Sequence, residues 1–197
     1  KLLNPNVQLL KDEKQKLIDS LNDEILNSFN LNEQERSLVD YAVNITIPLI
    51  MRHKGYERKV LSALSLNDAV LKEYAGVFIN KFGNIFNEPD RYFQVEVWHN
   101  QYIIGMFFNV VKNEPAEMVK LIEKKNDAIL KKIVSLGFKK ITRNLFIQKD
   151  IRGFEKNGFY VIKPNERKLW HKAIAYLDSY DFYDAILKSG REANDVV

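Results

Sequence analysis

The sequence contains no cysteine, and this absence excludes several kinds of chemistry. Disulfides, thiolate zinc sites and cysteine nucleophiles all need a thiol, and a reducing compartment fits such a composition. The longest apolar stretch, Tyr102 to Val111, spans about ten residues, whereas a helix that crosses a bilayer needs roughly 20. The charged start, Lys1 to Lys16, has no apolar core of signal-peptide type. We therefore expect a cytoplasmic protein that has no membrane partner.

Glycine and histidine are also scarce, and neither forms a motif. The 8 glycines are scattered and form no phosphate-binding loop of the P-loop or dinucleotide type. No nucleophile-elbow pattern is present. The three histidines, His53, His99 and His171, lie far apart and lack the spacing of metal ligands on a helix. We accordingly predict no catalytic residue, no metal site and no cofactor, and hence that this chain is not an enzyme.

Charge is distributed unevenly along the chain. The formal net charge is only +4, but the range 120–172 holds fifteen Lys or Arg against five acidic residues. Such an excess favours an acidic partner, nucleic acid first, although lysines on solvated faces are an equally good interpretation. Helix N-termini and basic side chains suit phosphates. The predicted contacts with the DNA backbone are Lys139, Lys140, Arg143, Lys149, Arg152, Lys163, Arg167, Lys168, His171 and Lys172.

The first half of the chain has the hydrophobic period of helices. Apolar residues recur at helical spacing over 9–29 in a charged background. Asn32 and Glu35 form the pattern of a capping box at the start of a second helix, which Pro48 ends or kinks. A third helix is predicted from about residue 67 to about residue 83.

The second half changes to the period of strands. Residues 93–97 alternate between apolar and polar and lead through a turn into the apolar run 102–111, which predicts a hairpin. A long amphipathic helix is predicted over 113–137. A second hairpin over 145–162 turns at Lys156-Asn157-Gly158, because Asn-Gly supplies the positive φ angles of a tight turn.

This order of elements predicts an α+β fold. N-terminal helices come first, then a hairpin–helix–hairpin antiparallel sheet covered on one face, then C-terminal helices, of which a short last one ends at Gly190. The predicted segments are 1–87, which is helical, and 88–197, the antiparallel α+β part with the C-terminal helices. The two can also form one compact domain.

A metal-dependent nuclease is one alternative that the sequence offers. Pro89-Asp90 followed by Glu96-Val97-Trp98 partly matches the proline-aspartate, acid-x-lysine pattern of restriction-type nucleases, which hold Mg²⁺ with two carboxylates. Trp98 stands where that pattern has lysine. A turn followed by a strand with a solvent-facing glutamate explains the same residues.

Two stretches, residues 21–35 and 162–178, resemble segments of bacterial adenine-specific DNA methyltransferases of restriction–modification systems. Residues 21–35, LNDEILNSFNLNEQE, are similar to a segment late in such enzymes, where a helix leads into an acid-rich helix start. Residues 162–178, IKPNERKLWHKAIAYLD, resemble the closing segment of some of them. The glycine-rich S-adenosylmethionine site and the Asn/Asp-Pro-Pro-Tyr/Phe motif of those enzymes do not occur here.

The resemblance implies a non-catalytic C-terminal accessory module of a restriction–modification, phage-defence type enzyme. Such a module would contact the DNA backbone or dock the methyltransferase core. The first residue is Lys1 and not methionine, which favours a piece of a longer polypeptide. The rival hypothesis is a protein–protein interaction domain that binds no nucleic acid, in which the acidic N-terminal helices make the contacts.

Overall fold

The computed structural model describes residues 11–122, 128–135 and 150–194, and these parts form the predicted α+β fold. Its elements in chain order are α1 (Lys11–Ser28), α2 (Glu33–Tyr41), a π-helical turn (Ala42–Thr46), α3 (Ile47–Ile50), α4 (Tyr56–Val60), α5 (Ala69–Phe86), β1 (Tyr92–His99), β2 (Ile103–Val111), β3 (Val119–Ile122), α6 (Ala128–Ser135), β4 (Ile151–Glu155), β5 (Gly158–Pro164), a 3₁₀ helix (Arg167–Trp170) and α7 (Lys172–Asn194).

The strands form one five-stranded sheet in the order β3-β1-β2-β5-β4. Both predicted hairpins are present among the described residues, β1 with β2 and β4 with β5, and β2 pairs with β5 antiparallel. Residues 145–149 of the second predicted hairpin lie outside the described residues. The prediction of a wholly antiparallel sheet was wrong for one pair, because β3 runs parallel to β1. The sequence pattern places residues 119–122 in a long helix. Their apolar spacing fits the period of a helix as well as that of a strand, and pairing with β1 makes them a strand.

Helices cover both faces of the sheet, whereas the sequence predicted one covered face. Alternate residues of β2 and β5 face opposite ways. Met106 and Phe108 join the large core that β1 forms with α5 and α7. Phe107 and Tyr160 face the other side, in a smaller cluster with Ile129 of α6. Burial on both faces explains why β2 reads as an almost continuous apolar run.

A column of aromatic rings on α5 forms the centre of the large core. Tyr74, Phe78 and Phe82 follow one another at four-residue spacing, with ring centroids 5.5 and 5.8 Å apart. Phe78 lies 4.2 Å from Phe108 of β2 and 6.1 Å from Phe182 of α7, between ring centroids. This core therefore joins residues from both sides of the proposed boundary at 87/88, and the division into two segments stays a prediction.

The turn of the second hairpin lies where the sequence predicted it, but the stated reason was wrong. Positive φ angles among the described residues occur at Asn30, Arg52 and Gly55, so the Asn157-Gly158 turn does not use them. A Cβ atom on Gly158 would instead lie 2.0 Å from the backbone oxygen of Phe108. Glycine is needed here because β2 and the turn approach each other closely.

Two helix ends differ from the prediction. Helix α7 runs from Lys172 to Asn194, so Gly190 lies inside one long helix and does not end a short one. The long helix predicted over 113–137 is wrong at its start, because residues 113–118 are not helical; α6 is its helical part, and residues 123–127 and 136–137 lie outside the described residues. Within the described ranges, none of the helices is both long and apolar enough to cross a membrane.

The start of α2 is the predicted capping box. The Asn32 side chain accepts from the Glu35 N–H at 3.0 Å, and the Glu35 carboxylate accepts from the Asn32 N–H at 2.8 Å. The helix does not end at Pro48. It passes through the π-helical turn, which shifts the hydrogen bonding just before the proline, and continues as α3. We call residues 11–50, from α1 to α3, the helical arm.

Candidate interaction surfaces

Four of the ten predicted DNA contacts, Lys139, Lys140, Arg143 and Lys149, lie outside the described residues. The other six are described, and each lies within ion-pair distance of a carboxylate. Their role in DNA contact stays a prediction, and their surroundings are the following.

Arg152 and Lys163 belong to one buried charge network beneath α7. Lys163 Nζ pairs with the Asp178 carboxylate, and both side chains are buried. Arg152 Nη2 donates to the other Asp178 oxygen at 2.6 Å, and Tyr74 Oη donates to the first at 2.5 Å. Arg152 also donates to Asp150 at 2.7 Å and through Nη1 to Asp181 at 2.6 Å. The network thus joins β4, β5, α5 and α7.

The pKa directions in this network follow from burial and from Asp178. Burial lowers the pKa of Lys163, and the attraction of Asp178 offsets only part of that effect. Burial, with the nearby Asp178 charge, raises the pKa of Tyr74 well above its usual range. For Arg152, burial alone would lower the pKa, but the attraction of Asp178 and hydrogen bonds to Asp181 and Asp150 raise it. Lys163 is therefore enclosed and directed at a carboxylate, away from solvent.

Arg167 and Lys168, in the 3₁₀ helix, have carboxylate partners at the surface. Arg167 Nη2 donates to Asp68, the N-cap residue of α5, at 2.6 Å. Lys168 Nζ lies 3.2 Å from the Glu166 carboxylate. The Arg167 pair links the 3₁₀ helix to the start of α5 and so has a structural role whether or not this surface contacts DNA.

His171 and Lys172, at the start of α7, attach the helical arm to the rest of the molecule. His171 Nε2 lies 3.0 Å from the Asp40 carboxylate, and Lys172 pairs with Glu33. The hydrogen bond with Glu33 raises the pKa of Lys172, and the same bond lowers the pKa of Glu33. Tyr180 further along α7 donates to Gln34 at 3.0 Å. The described contacts here thus include polar pairs near the surface and a contact between the rings of Tyr41 and His171, whose centroids lie 5.3 Å apart.

The segment 162–178 also contains Asn165, a buried residue whose structural role the sequence analysis did not predict. Asn165 accepts from the Leu64 N–H at 2.7 Å and donates to the Leu64 and Asn100 carbonyls at 3.1 and 3.0 Å. Trp170 is fully buried and donates to the Pro164 carbonyl at 3.0 Å. For Asn165, a polar residue directly after proline was the available signal.

The helical arm exposes several large apolar side chains. On α1, Leu17, Leu21 and Ile25 are spaced four residues apart and are 39%, 48% and 45% exposed. After α2, Ile47 and Ile50 are 49% and 73% exposed. An amphipathic helix is stable when its apolar face is covered, and the described residues leave this face open. We call these five residues the arm stripe.

A groove with acidic edges lies beside the arm stripe, between α1 and α2. Its volume is about 390 Å³. Ile25, Leu26 and Val39 contribute apolar side chains to it, and Asp19 and Asp23 lie on the α1 side. The whole arm carries eight acidic and four basic residues. The groove therefore suits an apolar segment that carries positive charge.

The two carboxylates of the nuclease hypothesis lie in different elements. Asp90 lies in the turn before β1, whereas Glu96 lies within β1 and is 3.6 Å from Lys120 Nζ. Trp98 Nε1 also donates to Glu96 at 3.3 Å. Across the described ranges, no three histidine, aspartate or glutamate side chains come together in a way that could hold a metal ion.

The surfaces described here have to be interpreted from their own geometry. Searches with this chain against protein-family models, curated proteins and solved structures found no match.

Proposed function

We propose that this chain is a non-catalytic accessory module that docks, through its helical arm, onto the core of a restriction–modification type adenine DNA methyltransferase. The observation that carries the proposal is the arm stripe, five exposed apolar side chains on a group of acidic helices. The choice of partner rests on the resemblance of residues 21–35 and 162–178 to segments of such enzymes. Residues 21–35 include most of the exposed face of α1.

The charge of the arm indicates what the partner surface is like. Recognition of a helical segment in a groove uses apolar anchors, and charges at the rim set orientation and choice of partner. Acidic residues on α1 and α2 flank the apolar side chains, so the complementary surface is apolar and rimmed by lysine or arginine. Binding should therefore weaken as salt increases, because the rim charges are exposed.

The test is binding of this chain to a purified methyltransferase core, measured by biolayer interferometry. The double substitution Leu21→Asp/Ile25→Asp places charges in the centre of the arm stripe. We expect affinity to fall by at least about tenfold, since buried apolar anchors dominate such interfaces. Leu187→Asp is the matched control, because this residue of α7 is 42% exposed and lies outside the arm.

Two results would contradict the docking proposal. One is an equal loss of affinity for the arm variant and the α7 variant, and the other is unchanged affinity for both. Circular dichroism of each variant distinguishes lost binding from lost structure. Both substituted α1 residues are already about half exposed, so we expect the helix content to be retained.

DNA contact is the second candidate function, and it now depends most on the segment 139–149. The supporting observation is the excess of basic residues in 120–172. The emphasis on 139–149 follows because the other six candidates already have carboxylate partners. Fluorescence anisotropy of a labelled duplex tests it. With 3–4 phosphate contacts, affinity should fall by about one to two decades between roughly 50 and 200 mM salt.

Charge reversal separates the two groups of basic residues. Lys140→Glu/Arg143→Glu should abolish duplex binding, whereas Lys168→Glu should have a smaller effect, because Glu166 already screens that charge. Absence of binding at the lowest salt would refute DNA contact by this chain.

A further inference from the structure

A second groove, distant in sequence from the helical arm, lies at one end of the sheet. It has a volume of about 460 Å³ and is bounded by the end of α5, the turn before β1, the end of β2, the β4–β5 turn and α7. Small-molecule sites in proteins typically have roughly 300–1,000 Å³. The groove is therefore large enough for a ligand of the size of a fused ring system or a medium-length hydrocarbon chain.

The floor of this groove is aromatic. Phe93 and Phe159 are buried, and their ring centroids lie 6.1 Å apart. Phe86 stacks beside Phe93 at 5.9 Å, and Phe154 lies 6.2 Å from Phe159. The Phe154 side chain is 55% exposed although its neighbours are buried. Such a surface favours an apolar, preferably aromatic, body.

The rim of the groove is positively charged. Lys112 follows the end of β2 and Lys156 lies in the β4–β5 turn, so both border the floor. Within the described ranges, neither lysine has a carboxylate partner. The remaining charged rim residues, Arg91 and Glu88, lie 3.6 Å apart and compensate each other. The rim thus has an excess of two positive charges.

We propose that this groove binds a small amphipathic anion, a molecule with an aromatic or aliphatic body and one carboxylate or sulfonate group. The body would rest on Phe154, Phe159 and Phe86, and the anionic group would lie between Lys112 and Lys156. A nucleobase suits the floor less well, because the edges of a base need hydrogen-bond partners and the floor is made of phenylalanine and aliphatic side chains. This inference is independent of the arm and its partner.

Two fluorescent probes of nearly the same shape test the proposal on the full chain. Anilinonaphthalene sulfonate carries the anionic group, and N-phenylnaphthylamine is its uncharged analogue. We expect the sulfonate to bind more tightly to the native protein. In Lys112→Gln/Lys156→Gln its affinity should fall by about tenfold, whereas that of the neutral probe should change by less than about twofold.

Lys54→Gln/Lys72→Gln is the matched control. It removes the same charge from two exposed lysines outside the groove, so it should leave the affinity of both probes unchanged. Amide chemical-shift mapping with the sulfonate locates the site. We expect the shifts to concentrate in 85–93, 110–112 and 154–159.

Three outcomes would overturn the proposal. The first is equal affinity of the two probes for the native protein. The second is an equal response of the groove variant and the control variant, or shifts centred elsewhere. The third is displacement of the sulfonate by single-stranded oligothymidine at lower concentration than by decanoate, which would assign the groove to nucleic acid. Decanoate as the stronger competitor would support the proposal.

Discussion

Substitution of Asp178 by asparagine should be among the most destabilising single changes in this protein. Its carboxylate accepts from Lys163, Tyr74 and Arg152, and the side chain is only 4% exposed. The asparagine would leave the buried Lys163 ammonium without a counter-charge. Removing one partner of a buried ion pair costs about 3–5 kcal/mol. For a chain of this size, that loss lowers the melting temperature by about 6–20 °C.

A double-mutant cycle measures how much of this loss belongs to the pair. Lys163→Met removes the ammonium but leaves Asp178 with Arg152 and Tyr74, so it should cost less than Asp178→Asn. In the Lys163→Met background, Asp178→Asn should lower the free energy of unfolding by about 1–3 kcal/mol less than it does in the native protein, because no unpaired lysine remains. Urea unfolding followed by far-ultraviolet circular dichroism yields all four free energies of unfolding.

Asp184→Asn is the control for this cycle. Asp184 pairs with Lys188 at 2.5 Å on the exposed face of α7, so its loss should change the free energy of unfolding by less than about 0.5 kcal/mol. The reasoning is refuted if the two substitutions in the cycle add to within about 0.3 kcal/mol. It is equally refuted if Asp178→Asn and Asp184→Asn have the same effect.

Two further predictions concern stability. Gly158→Ala should lower the free energy of unfolding by about 1–3 kcal/mol in thermal unfolding, because its Cβ would meet the Phe108 carbonyl. Gly76→Ala should be neutral or stabilise α5 by up to about 1 kcal/mol, since no atom of the described residues lies near the added Cβ. Equal effects of the two substitutions would contradict the close approach at Gly158. Lys81 Nζ is buried over the Tyr180 ring and has no hydrogen-bond partner among the described residues, and burial lowers the pKa of Lys81. The native protein should therefore gain stability relative to Lys81→Met as the pH rises from below the lowered pKa of Lys81 toward 10.5, because the folded state releases that proton first; a parallel pH dependence of the two proteins would argue against it.

The elements with a strong local signal were predictable from the sequence. The Asn32 capping box, the alternation in β1 and the two hairpins all appear where the pattern placed them. Strand β3 was not predictable, since Val119 to Ile122 become a strand only by pairing with β1, a long-range contact that a local period does not encode.

The candidate sites depend even more on contacts between residues that are distant along the chain. Counting charges along 120–172 identified Lys163 and Arg152 as surface contacts for a polyanion. Asp178, Tyr74 and Asp181, which surround these two residues, lie in segments distant along the chain. A lysine in a strand gives no local sign that it is buried, because the acid that compensates it comes from another element. The α1 part of the arm stripe, by contrast, was visible as a helical period, and the structure was needed to show that it is exposed and to add Ile47 and Ile50.

The aromatic column of α5 also has a consequence for synthesis of the chain on the ribosome. Asp178 lies 104 residues after Tyr74. The α7 residues that cover the aromatic column are synthesised at about the same time as Asp178. At a synthesis rate of roughly 5–20 residues per second, the apolar face of α5 stays uncovered by α7 for about 5–20 s. A nascent chain stopped before Lys172 would present Phe78 and Phe82 without α7. Chaperone binding and aggregation of truncated products should therefore concentrate on this helix.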